Sequence, residues 1–156
     1  MAANQPKKKQ TLRNNEYYST QDLFDDLYER SQRGEVFTHL MELIASEQNI
    51  LLAYRAIKKN KGSKTKGVNS TTIVEMGEKQ PEELIAYVRK RLENFHPHPV
   101  RRVEIPKPDG RMRPLGIPTM EDRIVQQCIK QILEPICEAK FYKHSYGFRP
   151  NRSAHH

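Results

Sequence analysis

Lys107, Arg111 and Arg113 stand close together in the stretch VRRVEIPKPDGRMRPLGIPT, residues 100–119. Ammonium and guanidinium groups on a stiff ribbon can meet several oxygens of a polyphosphate at once, through charge-assisted and bidentate hydrogen bonds. The same pattern also suits a basic surface hairpin with no ligand. The ribbon itself is legible. Pro108-Asp109-Gly110 is a turn signal between two short runs, Val100 to Ile105 and Met112 to Ile117. In the first run Val103 and Ile105 alternate with Arg102 and Glu104, as a half-buried strand requires. The spacing predicts an antiparallel hairpin over 100–118.

A second concentration of charge lies upstream. Between Arg55 and Gly67 stand Arg55, Lys58, Lys59, Lys61, Lys64 and Lys66, with no acid among them. Gly62 and Gly67 bracket a Ser/Thr/Lys loop, part of a basic stretch over 58–67 that is too polar to bury. Taken alone, such a run is a solvated loop. Near the end, Arg149 and Arg152 flank an aromatic–glycine turn, Tyr146-Gly147-Phe148. That block reads equally as a nucleic-acid backbone contact and as a packing joint.

The wording of these segments carries more than their charge. Ile105-Pro106-Lys107-Pro108-Asp109-Gly110-Arg111-Met112-Arg113-Pro114-Leu115-Gly116-Ile117-Pro118 resembles the fingers of group II intron-encoded reverse transcriptases (maturases). Leu133-Glu134-Pro135-Ile136 and Ser145-Tyr146-Gly147-Phe148-Arg149-Pro150-Asn151-Arg152-Ser153 resemble the family's next block. Asn60-Lys61-Gly62-Ser63-Lys64-Thr65-Lys66-Gly67-Val68 resembles the loop of its N-terminal extension. Three blocks in the family's order are far more specific than any lone motif.

The resemblance implies an α+β architecture: a helical N-terminal extension, then a fingers subdomain with a β-hairpin packed on helices. This is part of a right-hand polymerase, with the palm absent. It implies that Lys107 and Arg113, and less directly Arg111, hold an incoming dNTP. Lys61, Lys64 and Lys66, with Lys58 and Lys59 beside them, become candidate contacts to the backbone of template RNA, and Arg149 and Arg152 join them. Template RNA with primer DNA is one implied partner set. The other is the parent group II intron RNA, clamped in a maturase role that needs no polymerase activity. A retron or other bacterial reverse transcriptase fits the Ser-Tyr-Gly-Phe-Arg-Pro wording less well.

Polymerisation also needs Mg2+ on a cluster of aspartates. Asp22, Asp25, Asp26, Asp109 and Asp122 are the only aspartates, and none stands in a palm motif. Phe24-Asp25-Asp26 is one residue short of the aromatic-x-Asp-Asp signature and falls on a helical period, so it is assigned to a solvated helix face. In the family the catalytic aspartates lie beyond the block that ends this sequence. The expectation is an N-terminal piece of an RNA-directed DNA polymerase that binds but does not polymerise alone. Its apolar surface, meant for the palm, could support a homodimer.

Composition agrees with a polyanionic partner. Twenty-seven Lys and Arg against 19 Asp and Glu leave a net charge of +8. The isoelectric point is near 9.5. Hydrophobic residues are 36% with a mean hydropathy of −0.85, which predicts a thin core. Cys128 and Cys137 form no CxxC pair, and their helical setting suggests two buried thiols. His96-Pro97-His98-Pro99 offers no third ligand at metal spacing and reads as an extended linker. With no membrane-spanning run and no signal segment, the expectation is a soluble, cytoplasmic ribonucleoprotein component, of bacterial type.

The elements that must position these groups follow from capping and periodicity. Residues 1–16, with Lys7-Lys8-Lys9, should be a flexible basic arm; 17–94 the helical extension; 95–156 the fingers. Ser19 with Asp22 predicts the first helix start, Leu23, Phe24, Leu27 and Tyr28 its apolar face, and Gly34 its end. Ser46 predicts the cap of a second helix, Thr71 or Thr72 a short turn, and Pro81-Glu82-Glu83 a third helix buried through Leu84, Ile85, Val88 and Leu92. Arg89, Lys90 and Arg91 near its end read as structural, set by the helix dipole. Thr119 with Asp122 opens a helix over 120–141 whose core face is Ile124, Val125, Cys128, Ile132 and Leu133, and which Pro135 kinks or restarts. Arg123 in its first turn is unfavourable there unless it pairs with an acid or faces RNA.

Overall fold

The computed structural model describes residues 18–153. The arm expected over 1–16 lies outside the described residues. The elements run α1 (Gln21–Gln32), α2 (Leu40–Ile44), α3 (Glu47–Lys59), a 3-10 turn (Lys61–Lys64), α4 (Ile73–Gly77), α5 (Pro81–Glu93), β1 (Arg101–Pro106), β2 (Met112–Ile117) and α6 (Met120–Glu138). The α+β class holds, with the two strands forming one antiparallel hairpin.

Local sequence explains most boundaries. Ser46 takes a bond from the Asn49 amide and caps α3. Thr72 and Glu75 close a reciprocal capping box on α4, which settles the choice between Thr71 and Thr72. Thr119 Oγ1 accepts from the Asp122 amide at 3.3 Å and caps α6. The first cap differs from expectation. Ser19 sits in the left-handed region (φ 53), and the buried Thr20 occupies the cap, its carbonyl taking the first helical bond from Phe24. Gly34 (φ 80) follows the end of α1, the conformation a helix exit needs.

Helix α6 is the axis of the body and packs against α1, α2, α3 and α5. Its residues Met120, Ile124, Cys128, Ile132 and Ile136 meet Leu27 of α1, Ile50, Ala53 and Ile57 of α3, and Leu84, Ile85 and Val88 of α5 in one apolar cluster. Each fully buried Ile or Leu contributes about 1.5–3 kcal/mol. Through this core runs one polar network. Asn49, 0% exposed, donates to the carbonyls of Ile44 and Cys128, and Gln131 Nε2 donates to Asn49 Oδ1 at 2.7 Å. The network ties α3 to α6 in a single register.

Four expectations for α6 change: its end, its course through Pro135, and the burial of Cys137 and of Leu133, which turns outward at 37% exposure one residue from buried Ile132. The helix ends at Glu138 rather than 141 and runs through Pro135 without restarting, although the missing N–H removes the helical donor to the Gln131 carbonyl. Cys137 is exposed, because it lies about 100° round the helix from buried Ile136. Cys128 alone is a buried thiol, and burial pushes its pKa up to about 12.

Candidate nucleic-acid interface

The hairpin pairs Arg101 with Ile117, Val103 with Leu115, Ile105 with Arg113 and Pro106 with Met112. Opposed residues share a face of the ribbon, so Arg113 continues the face of Val103, Ile105 and Leu115. Val103 and Ile105 are half-buried while Arg102 and Glu104 are exposed, the alternation the sequence predicted. The ladder extends one step past the strands, where the Lys107 amide donates to the Arg111 carbonyl at 2.7 Å. Lys107 and Arg113 therefore stand at the tip, both exposed, and neither forms an ion pair among the described residues.

Arg111 differs from its neighbours. Its Nε and Nη2 donate to Asp109 Oδ2 at 2.9 and 2.6 Å, and its amide donates to Asp109 Oδ1 at 3.0 Å. These bonds hold the Asp109 carboxyl below the usual carboxylate range. They also pair the exposed Arg111 guanidinium with the carboxylate of the turn.

The basic loop is built rather than loose. Lys61, Lys64 and Lys66 are exposed, and so are Lys58 and Lys59 at the end of α3. Arg123 reaches from α6 to donate to the Gly62 carbonyl at 3.0 Å and stands 3.5 Å from that of Thr65. Arg123 is half-buried, forms no ion pair among the described residues and satisfies loop carbonyls instead. Arg101 Nε, at the start of β1, donates to the Lys66 carbonyl at 2.9 Å. Gly67 is buried against Thr119, where an added Cβ would come within 2.7 Å of the Thr119 Cα. Loop, hairpin foot and α6 start are one joint. Lys66 sits at the foot and Lys107 at the tip, separated by about 20 Å of strand.

A second lock orients the ribbon from below. Asp122, 2% exposed, accepts from Arg91 Nη2 at 2.5 Å and from the His98 amide at 2.7 Å. His98 Nδ1 lies 3.1 Å from Asp122 Oδ1 and 3.2 Å from Thr119 Oγ1, and Arg91 also donates to the His96 carbonyl. The end of α5, the His96–Pro99 linker and the start of α6 meet on this one carboxylate. Arg89 donates to the Ala45 carbonyl, so the structural reading of these arginines holds for both.

Arg149 takes the packing role. It is 8% exposed, with Nε and Nη2 on Glu138 and Nη1 donating to the carbonyls of Tyr142 and Ser145 at 2.8 and 2.7 Å. Four of the five guanidinium N–H groups are so committed, the arrangement of a packing joint rather than of an open phosphate contact. Arg152 stays more open, 3.9 Å from Glu138 and donating to the Lys143 carbonyl at 3.2 Å. Phe148 beside it has a left-handed backbone (φ 57) and projects wholly into solvent.

Sequence reasoning missed Asp122 as the joint's buried carboxylate, Arg101 as the loop's second anchor and Glu138 as the partner of Arg149. Arg123 carried a signal, since a cation at a helix N-terminus needs a compensating acceptor.

Among the described residues no three His, Cys, Asp or Glu side chains stand together as a cation site. Nor is any described helix long and apolar enough to cross a membrane.

Residues 105–156 match the reverse transcriptase (RNA-dependent DNA polymerase) family. Protein YkfC of Escherichia coli is 42% identical over 119 residues, 75% of this chain and 31% of that protein. Group II intron-encoded protein LtrA of Lactococcus lactis is 36% identical over 139 residues, 87% of this chain and 23% of its own length. A putative COX1/OXI3 intron 2 protein of Saccharomyces cerevisiae is 36% identical over 116 residues, 74% of this chain and 13% of its own. The chain spans under a third of the length of these curated relatives. With the fingers wording and the N-terminal loop both inside the aligned regions, the chain belongs to the group II intron-encoded reverse transcriptase family.

Proposed function

We propose that this chain supplies the RNA-clamping and triphosphate-holding part of an RNA-directed DNA polymerase that also serves as a maturase. Lys61, Lys64 and Lys66 follow the phosphate backbone of template or intron RNA. Lys107 and Arg113 hold the triphosphate of an incoming dNTP, a task of positioning and charge neutralisation. Polymerisation by the whole protein, with primer DNA on the template, would take its Mg2+ ligands from aspartates beyond this sequence.

The observation that carries the reading is the anchored loop. Three exposed lysines with no acidic partner among the described residues sit on a backbone fixed by Arg123, Arg101 and Gly67, so little backbone ordering cost remains when phosphates bind. Replacing Lys61, Lys64 and Lys66 together by alanine should weaken RNA binding and flatten the log–log salt slope by about 2. Unchanged affinity and slope at matched salt would refute the assignment. In the full-length polymerase, Lys107→Ala or Arg113→Ala should raise the KM for dNTP about tenfold or more, while Arg111→Ala should change it far less. An equal effect of all three would remove the distinction drawn from the Asp109 pairing.

The maturase role has its own support within this chain. Lys61, Lys64 and Lys66 all stand exposed on the loop that Arg123 and Arg101 anchor. RNA clamping can therefore be measured on the chain by itself.

A further inference from the structure

A different face of α3 carries a feature that the loop and hairpin do not use. Between α3, α4 and the start of α5 lies a cleft of about 500 Å³. Arg55, Lys58, Lys59 and Lys79 line it together with the rings of Tyr18 and Tyr54, and among the described residues no carboxylate lines it. The Arg55 guanidinium stands 6.0 Å from the Tyr18 ring centre, and the Lys58 ammonium 5.8 Å from that of Tyr54. The Tyr54 hydroxyl is seated against Gly77, where an added Cβ would come within 1.9 Å of it. The ring is thus held in place at the cleft wall by a residue with no side chain.

Cations interleaved with aromatic rings are what an unpaired nucleotide needs. Its base has an open π-face for a tyrosine or a guanidinium, and its flanking phosphates need ammonium groups within a few ångströms. A duplex has its bases stacked on one another and cannot present such a face. An acidic peptide would use the charge but leave the rings without a stacking partner.

We propose that this cleft binds an unpaired nucleotide of a single-stranded RNA, with the base against Tyr54 and the phosphates on Lys58, Lys59 and Lys79. The proposal shares its partner class with the function above and takes over Lys58 and Lys59 from the basic stretch 58–67, but none of Lys61, Lys64 and Lys66. A single RNA strand could therefore be held at two places on α3, along its C-terminal loop and across its side.

The test compares a short single-stranded RNA with a blunt RNA duplex, each titrated against the chain across salt. Lys58→Ala with Lys79→Ala should weaken single-strand binding about tenfold or more and flatten the salt slope by about 1.4, leaving the duplex unchanged. Tyr54→Ala should weaken the single strand about fivefold to a hundredfold, and Tyr54→Phe should restore it. Equal losses for single strand and duplex, or no loss for either, would overturn the proposal. Should Tyr54→Ala fail to fold, the ratio of single-strand to duplex affinity in the double lysine variant decides alone. The triple loop variant separates the two readings. If it keeps RNA affinity while the cleft variants lose it, the loop assignment falls and the cleft stands; the reverse outcome removes only the cleft.

Discussion

The helical body and the hairpin are built on opposite terms. In the body Leu27, Ile50, Ile124 and Ile132 are 0% exposed, and even the polar Asn49 is sealed in. In the ribbon no residue of either strand is fully buried, and Lys107 and Arg113 form no ion pair among the described residues. A domain made only for stability would hide or pair such groups. Here the body supplies the folding free energy, while the ribbon keeps its charges solvated and available. The two meet at the Arg91–Asp122–His98 joint, which belongs to the core by burial and to the ribbon by what it aims.

That joint is where the comparison can be broken most forcibly. Asp122→Ala would leave Arg91, whose side chain is 17% exposed, without its carboxylate, and would strip the His98 amide of its acceptor. Losing one partner of a buried ion pair costs about 3–5 kcal/mol. Denaturant unfolding of the chain measures it. A loss under about 1 kcal/mol would mean that the ribbon is aimed by backbone geometry alone. Next in size comes the body itself. Asn49→Ala removes the donor to the Ile44 and Cys128 carbonyls and the acceptor of Gln131, at about 2 kcal/mol for buried polar groups left unsatisfied. If Asn49→Ala proved harmless, the register of α3 on α6 would rest on apolar packing only.

What could be read in the sequence divides along the same line. Local signals gave the caps at Ser46 and Thr119, narrowed a third to Thr71 or Thr72, and gave the hairpin and its alternation, the core face of α5 and that of α6 apart from the exposed Leu133, since each depends on neighbours within a few residues. The basic residues of the interface were visible by type. Their availability was not. Whether Arg111, Arg123 or Arg149 faces solvent depends on partners two, 61 and 11 residues away, and only the first of these is a local relation. The same holds for the error at Cys137: buried and exposed positions on α6 differ by one residue, and the packing of α1 and α3 decides between them. Ser19 and Thr20 exchanged roles for a similar reason, because the burial of Thr20 is a tertiary fact.

The smallest expected effect is also the one that sharpens the comparison most. Replacing Lys107 and Arg113 together by alanine removes two exposed cations from a ribbon that barely touches the core. Surface substitutions away from caps, pairs and cavities stay within about 0.5 kcal/mol. Like charges gathered at the tip repel one another slightly, so the double variant should be as stable as the parent or marginally more so, most visibly at low salt where the Debye length is long. The same variant in the full-length polymerase should be badly impaired in using dNTP. Near-neutral stability with a large functional loss is the signature of side chains held for a ligand. A stability loss of 2 kcal/mol would instead show that these cations support the ribbon, and the basic tip would then be a structural feature of the hairpin.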